Sequence, residues 1–249
     1  MPEGDSVLQL SERLQWITGR TVTKTDLRVP RYATESFTGE EIYEVWPYGK
    51  NLYMRIGERV LHTHLRMEGR WSRGGEWAHT ARVVLGLGDV TIVGHELGLV
   101  RVFPYGDYPE HIKQFGPDIL GDWDREEAAR RLLQQPDRIL GEALLDQSNV
   151  AGIGNEYRTE MMFLLGWKPT VTVGDVGEQG VLKALDLGRR VMWANRFEPR
   201  RVFTGNRRQP NFVFGRENQP CRRCGSRIEK AEMDRIVWWC PQCQREVSV

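Results

Sequence analysis

No cysteine occurs before position 221, and only 6 lysines stand against 29 arginines in the 249 residues. No apolar run approaches the ~18 residues of a membrane-spanning helix. The first twenty residues hold three acids and no apolar core, so they do not read as a secretory signal. An intracellular, reducing compartment is the expectation, with no disulfide framework. Internal repeats and low-complexity segments are missing too. With 35 Lys+Arg against 34 Asp+Glu the net charge is +1, which excludes a polybasic tail protein and an acidic solvating one. What remains is an ordinary globular composition, 40% hydrophobic and 28% charged, long enough for a sizeable core.

The neutrality is a cancellation. Residues 186–249 carry 14 Lys+Arg and 7 Asp+Glu, net +7, so the first 185 residues are net −6. Such asymmetry fits either a polyanion-binding surface or a solvated basic face. All four cysteines fall in this basic quarter, as Cys221-x2-Cys224-x15-Cys240-x2-Cys243. Two C-x2-C knuckles at this separation match a four-thiolate zinc site. Four protein ligands leave no open position, so such a zinc is structural. Two disulfides are the alternative, disfavoured in a reducing compartment. Arg235 to Trp239 reads as a strand, making the unit a metal-held β-hairpin that is too small to fold alone.

Upstream, Val7, Leu10, Leu14 and Ile17 recur at helical spacing, and Gly19 suits a helix stop. From Thr21 to about Phe103 short β-branched and aromatic runs broken by glycines predict a β-sandwich or barrel. The texture changes near 116–122, a domain joint. Asp124 and Glu127 then predict a helix through Gln135. Further helices are predicted at 138–147, at 156–165 ending on Gly166, and at about 181–194. The resulting division is 1–118, a β-sandwich with an N-terminal helix; 119–205, helical; and 206–249, the four-cysteine finger. The fold class is α+β.

Two further patterns carry chemistry. Gly152-Ile153-Gly154-Asn155 opens a helix, where backbone N–H groups and an asparagine amide suit an anion, or else form a plain helix–helix turn. At the other end, removal of Met1 leaves Pro2 with a free secondary amine. Such an amine titrates near pH ~8, so much of it is neutral and nucleophilic at pH 7. Glu3 beside it suits proton transfer at the same centre. The alternative is helix-start chemistry alone. His62 and His64 alternate onto one strand face, open to packing or to a metal.

Together these motifs resemble the formamidopyrimidine-DNA glycosylase / endonuclease VIII family. The resemblance rests on Pro2-Glu3-Gly4, on Tyr48-Gly49-Lys50-Asn51-Leu52, and on Leu144 to Gln147 followed by Val150 to Asn155, Tyr157 and Glu160. It continues through Phe214-Gly215-Arg216 to Cys243, and so spans nearly the whole chain. It implies a bifunctional DNA glycosylase and AP lyase of base-excision repair, built from a β-sandwich, a helix–two-turn–helix domain and a zinc finger. Pro2 would be the Schiff-base nucleophile and Glu3 the proton donor for base loss and ring opening. Lys50 would hold a phosphate and act in β-elimination, and Arg235 would grip a phosphate and act in δ-elimination. Asn155, with Gly152 and Gly154, would bind the backbone of damaged DNA. Met67, Arg101 and Phe103 would fill the void left by the flipped base, or else Met67 and Phe103 belong to the core.

Gly4 points to the endonuclease VIII-like branch and to oxidised pyrimidines, with oxidised purines as the alternative. Asp5 and Ser6 depart from the family, which usually has proline and often glutamate there. The implied cofactor is one structural Zn²⁺. The implied partner is damaged DNA without a membrane, for a cytoplasmic monomer that is nucleoid-associated if bacterial. Rival readings are a non-catalytic zinc-finger DNA-binding protein and a zinc-ribbon RNA-binding module.

Overall fold

The computed structural model describes residues 2–75 and 77–247. The chain forms two compact units, Met1–Gln114 and Phe115–Val249.

The first unit opens with α1, Gly4–Leu14, extended by a 3-10 turn at Gln15–Ile17. Eight strands follow: β1 (Lys24–Leu27), β2 (Ile42–Tyr48), β3 (Asn51–Ile56), β4 (Arg59–His64), β5 (Arg70–Arg73), β6 (Ala81–Gly86), β7 (Thr91–His95) and β8 (Leu99–Pro104). They make two four-stranded antiparallel sheets, ordered β1-β6-β7-β5 and β2-β3-β4-β8. Alternation along the strands decides which side chains meet between the sheets. Leu52, Met54 and Ile56 of β3 join Val83, Leu85 and Ile92 from the other sheet, and Val7, Leu10, Leu14 and Ile17 close one edge. This is the expected β-sandwich.

The intervening residues of β3 and β4 face the other way. Tyr53 stacks on His62 (4.5 Å) and Trp46 (5.6 Å), and meets Tyr108 edge-on at 5.2 Å. Tyr108 belongs to α2 (Tyr108–Ile112), which covers this outer face.

The second unit contains α3 (Arg125–Leu133), α4 (Leu140–Leu145), α5 (Asn155–Leu165) and α6 (Val173–Asn195). Asp124 accepts the Glu127 N–H at 2.9 Å, so α3 begins where predicted. Glu127 does not close the box; its carboxylate pairs with Arg130 and Arg131 instead. The helix predicted at 138–147 is shorter, since only Leu140–Leu145 is helical. By contrast α6 starts eight residues early. Thr172 and Asp175 cap it reciprocally, and Gly177 (φ 60) breaks it internally. Glycines at 174, 177 and 180 thin the apolar periodicity that sequence reading depends on, which is why that first part is missed. Gly166 in the left-handed region ends α5 as expected.

The hairpin is β9 (Glu229–Ala231) paired with β10 (Val237–Trp239). Arg235 and Ile236 precede the strand rather than lying in it. Phe163 of α5 anchors the hairpin among Val213, Ile228, Cys221 and Cys240, stacking on Phe212 at 4.9 Å. Glu160 is fully buried and accepts the N–H groups of Phe212, Val213 and Phe214 at 2.9, 2.9 and 2.8 Å. Burial raises its pKa despite the three donors.

Candidate functional site

In the first unit, Glu3 is 0% exposed and forms the N-cap of α1. Pro2, the residue before it, is half-buried. Met1, on whose removal a free Pro2 amine depends, lies outside the described residues. Asp5 and Ser6 form a local cluster in the first turn. Asp5 Oδ1 accepts the Ser6 N–H at 2.7 Å, and Ser6 Oγ accepts the Glu3 N–H at 3.5 Å. The departures from the family pattern thus help to hold the helix start.

Lys50 sits in the tight turn joining β2 to β3. Two contacts fix how α1 lies against β2. Gly19 donates to the Ile42 carbonyl (2.8 Å), and Gln15 Nε2 donates to the Val45 carbonyl (2.7 Å). Helix and strand therefore run antiparallel. Twelve residues back from Gln15 to Glu3 cover about 18 Å, and five on from Val45 to Lys50, just past β2, about 16 Å. Glu3 and Lys50 accordingly reach the same end of the unit.

His64 pairs across from Asn51, next to Lys50. Burial first, and then the charges of Lys50 and Arg66, push its pKa down to about 4. Its Nδ1 accepts the Arg66 N–H at 2.9 Å, so the neutral ring carries its proton on Nε2. Sequence reading missed this placement because strand register, not spacing, brings His64 to the lysine. His62 is buried against Asn51 (2.9 Å), with its pKa pushed down to about 3 by burial, then by His111, Arg101 and His64. The two histidines form no metal site; among the described residues only the cysteines cluster as potential metal ligands.

Met67 is 60% exposed in the loop after β4, away from the core. Arg101 and Phe103 share one face of β8. Phe103 lies 4.7 Å from the His111 ring and is half-buried, and both residues border a hollow of about 710 Å³ with Arg31, Tyr32 and Gln114.

In the second unit the α4–α5 turn is knitted tightly. Gln147 accepts the Gly152 N–H (3.0 Å) and donates to the carbonyls of Leu145 (2.8 Å) and Ile153 (3.1 Å). Gly152 adopts φ 112, open to glycine alone, and its N–H is held inside the turn. Gly116 allows a close approach, since a Cβ there would lie 2.2 Å from the Asn149 carbonyl oxygen. Gly154 is the N-cap of α5, and Asn155 is its first helical residue. Asn155 Nδ2 donates to the Ile236 carbonyl at 2.9 Å, which uses one of its two N–H groups. Arg158, 1% exposed, donates to Asn155 Oδ1 and to Asp234 (3.4 Å). Asn155 is thereby brought to the loop that carries the exposed Arg235. Arg158 was missed in the sequence, where a mid-helix arginine looks like surface.

The four Sγ atoms lie within 4.8 Å of one another, with Cys221–Cys243 at 3.8 Å and Cys224–Cys240 at 3.4 Å. Disulfide sulfurs sit ~2.05 Å apart, so these thiols are free. Four ligands at ~2.3 Å around a tetrahedral ion stand about 3.8 Å from one another. The cluster fits a metal ion.

A solved Lactococcus lactis formamidopyrimidine-DNA glycosylase, bound to DNA containing an AP site, matches with a TM-score of 0.85 at 23% identity, covering 98% of this chain and 100% of that one. The family model for the formamidopyrimidine-DNA glycosylase N-terminal domain matches residues 1–97. A probable endonuclease 8 of Streptomyces coelicolor is 43% identical, covering 98% of this chain and 94% of the relative. The DNA-(apurinic or apyrimidinic site) lyase of Mycolicibacterium smegmatis is 40% identical over 98% and 99%. The chain belongs to the formamidopyrimidine-DNA glycosylase / endonuclease VIII family, in its endonuclease VIII-like branch.

Proposed function

We propose that this protein is a bifunctional DNA glycosylase and AP lyase that removes oxidised bases, pyrimidines foremost. The observation that carries this reading is the burial of Glu3 beside Pro2, at the end of the first unit where Lys50 also stands. Once Met1 is removed, the Pro2 nitrogen attacks C1′ of the damaged nucleotide, and the base leaves with its bonding electrons and takes up the proton that the Pro2 nitrogen gives up. Glu3 delivers a proton to the ring oxygen as the sugar opens, giving an iminium between Pro2 and C1′. Loss of a C2′ proton then expels the 3′ phosphate (β-elimination), and a second elimination expels the 5′ phosphate. Lys50 and Arg235 bind the phosphates concerned. Arginine suits this because its fork takes two oxygens at once.

Asn155 and the turn at Gly152 and Gly154 bind the backbone, while Met67, Arg101 and Phe103 occupy the gap left by the flipped base. The exposure of Met67 and Arg101 supports that role. Cys221, Cys224, Cys240 and Cys243 hold one Zn²⁺, which supplies folding energy and no reactive position. The protein acts as a cytoplasmic monomer on damaged DNA.

Borohydride trapping tests the reading directly. Protein shown by intact mass to begin at Pro2 forms a covalent adduct with abasic DNA. No adduct from that material refutes the lyase and leaves a non-catalytic DNA-binding protein. Glu3→Gln slows excision of an oxidised pyrimidine far more than cleavage of a preformed abasic site; equal loss of both would sink the division of roles.

A further inference from the structure

Exposed aromatic rings are costly, and two of the large hydrophobic residues left exposed stand together at the C-terminal end of α6. Trp193 is 44% exposed and Phe197 61%. The Arg196 guanidinium lies over both rings, 4.2 Å from Trp193 and 4.7 Å from Phe197. Arg189 lies over Trp193 at 5.2 Å and over Trp123 at 5.9 Å. Guanidinium groups and rings therefore gather into a short ladder in which Trp193 and Phe197 still expose ring surface.

The ladder is held in place from behind. Arg189 donates to the Ile119 carbonyl, and Arg196 to that of Trp193 at 2.6 Å. Asn195 accepts the Val202 N–H at 2.7 Å and donates to the Val191 carbonyl at 2.9 Å, which fixes the turn beyond the helix. The segment that carries the ladder is strongly basic: residues 189–208 contain seven arginines and one acid, Glu198, itself paired with Arg207 at 2.8 Å, although Asp122 and Asp124 flank Trp123.

The ladder also has a defined position in its unit. Trp167, past the end of α5, approaches Gly180, while Met161 approaches Gly188. Glu156 and Tyr157 at the start of α5 meet Arg201 (2.6 Å) and Phe203 (5.2 Å) beyond α6. The two helices are antiparallel, so the ladder lies at the end of the unit that carries Asn155.

We infer that the Trp193–Arg196–Phe197 face is a second nucleic-acid contact, which takes single-stranded DNA by stacking bases on its rings. Every base has a planar π-face, so such a platform binds without sequence preference. A stacked guanidinium keeps its in-plane N–H edge for phosphate. Duplex DNA hides its base faces, so the platform favours single strands. An acidic peptide would engage the arginines without needing the rings. This contact stands beside the catalytic reading and does not rest on it.

The test is fluorescence anisotropy with the full chain and a labelled oligothymidylate of about twenty nucleotides, long enough to cross such a platform. The same-length duplex and a peptide alternating Asp and Phe serve as comparisons. Trp193→Ala/Phe197→Ala is expected to weaken oligothymidylate binding about tenfold or more, with a smaller effect on the duplex. Trp193→Phe/Phe197→Tyr is expected to restore it. The alanine variant keeps its thermal melt and its borohydride adduct on a short abasic duplex. Wild-type oligothymidylate affinity in the alanine variant overturns the inference. So does peptide binding that needs both rings while oligothymidylate binding does not. A missing adduct in the wild type bears on the lyase alone.

Discussion

His62 and His64 show how one residue type takes its chemistry from its surroundings. Both imidazoles are held neutral, at about 3 and about 4 against an ordinary value of about 6.5, because burial disfavours the charged ring before any neighbour acts. The folded protein therefore binds fewer protons at these sites than the unfolded chain between about pH 6.5 and the folded values of about 4 and about 3. Stability is fully present above about pH 6.5 and falls as pH drops toward 4. The slope approaches ~1.4 kcal/mol per pH unit for each ring. Thermal melts between pH 7 and pH 4.5 check this. His62→Gln, which keeps a donor toward Asn51 but cannot titrate, should lose less on acidification than the wild type. An identical acid slope in both proteins would show that His62 carries none of the effect. Spacing alone leaves metal and packing both open for this pair; pairing across β3 and β4 decides it, because the ring nitrogens find Asn51 and the Arg66 backbone.

Among the elements, α5 links most of what matters in the second unit. Its first residue holds the hairpin loop through Ile236, and Phe163 and Glu160 hold the finger's base. Glu160→Ala would leave the N–H groups of Phe212, Val213 and Phe214 without this acceptor, the second of them buried. At ~1–3 kcal/mol each, the second unit should lose about 3 kcal/mol or more in urea denaturation, and the finger should release its metal more readily. A loss under about 1 kcal/mol would show that these N–H groups find other partners. The start and end of α5 are legible in the sequence, from Gly154-Asn155 and Gly166. The contact of its interior with the basic segment is not, since a buried glutamate fifty residues from its partners leaves no periodic trace. Helix α6 was half-legible for a different reason: its capping pair Thr172 and Asp175 is present, but glycines beyond it hide the apolar stripe.

On the scale of the whole molecule the charge asymmetry takes a new form. The acidic excess of the first 185 residues lies mostly in 115–185, net −5, whereas residues 1–114 are net −1. Acidic and basic stretches fold into one unit, Phe115–Val249, so the division in sequence is not a division between units. If a nearly neutral protein holds DNA through the few cations proposed above, the logarithm of affinity should fall with the logarithm of salt at a slope of roughly −2 to −4. Titrations of an abasic duplex across salt measure it; a slope near −8 would mean a broad cationic face instead.

Local chemistry was within reach of the sequence. Cysteine spacing, strand alternation, the glycine that opens a helix and the Pro-Glu start each act over a few residues, so order along the chain is enough to show them. Proximity between distant segments was decided by the tertiary structure alone. It brings Lys50 and Glu3 to the same end of the first unit, joins Asn155 to the Arg235 loop through Arg158, and gathers Trp193, Arg196 and Phe197 into one exposed face. Those outcomes depend on packing and register, which sum weak contacts from residues far apart and leave no mark at any single position.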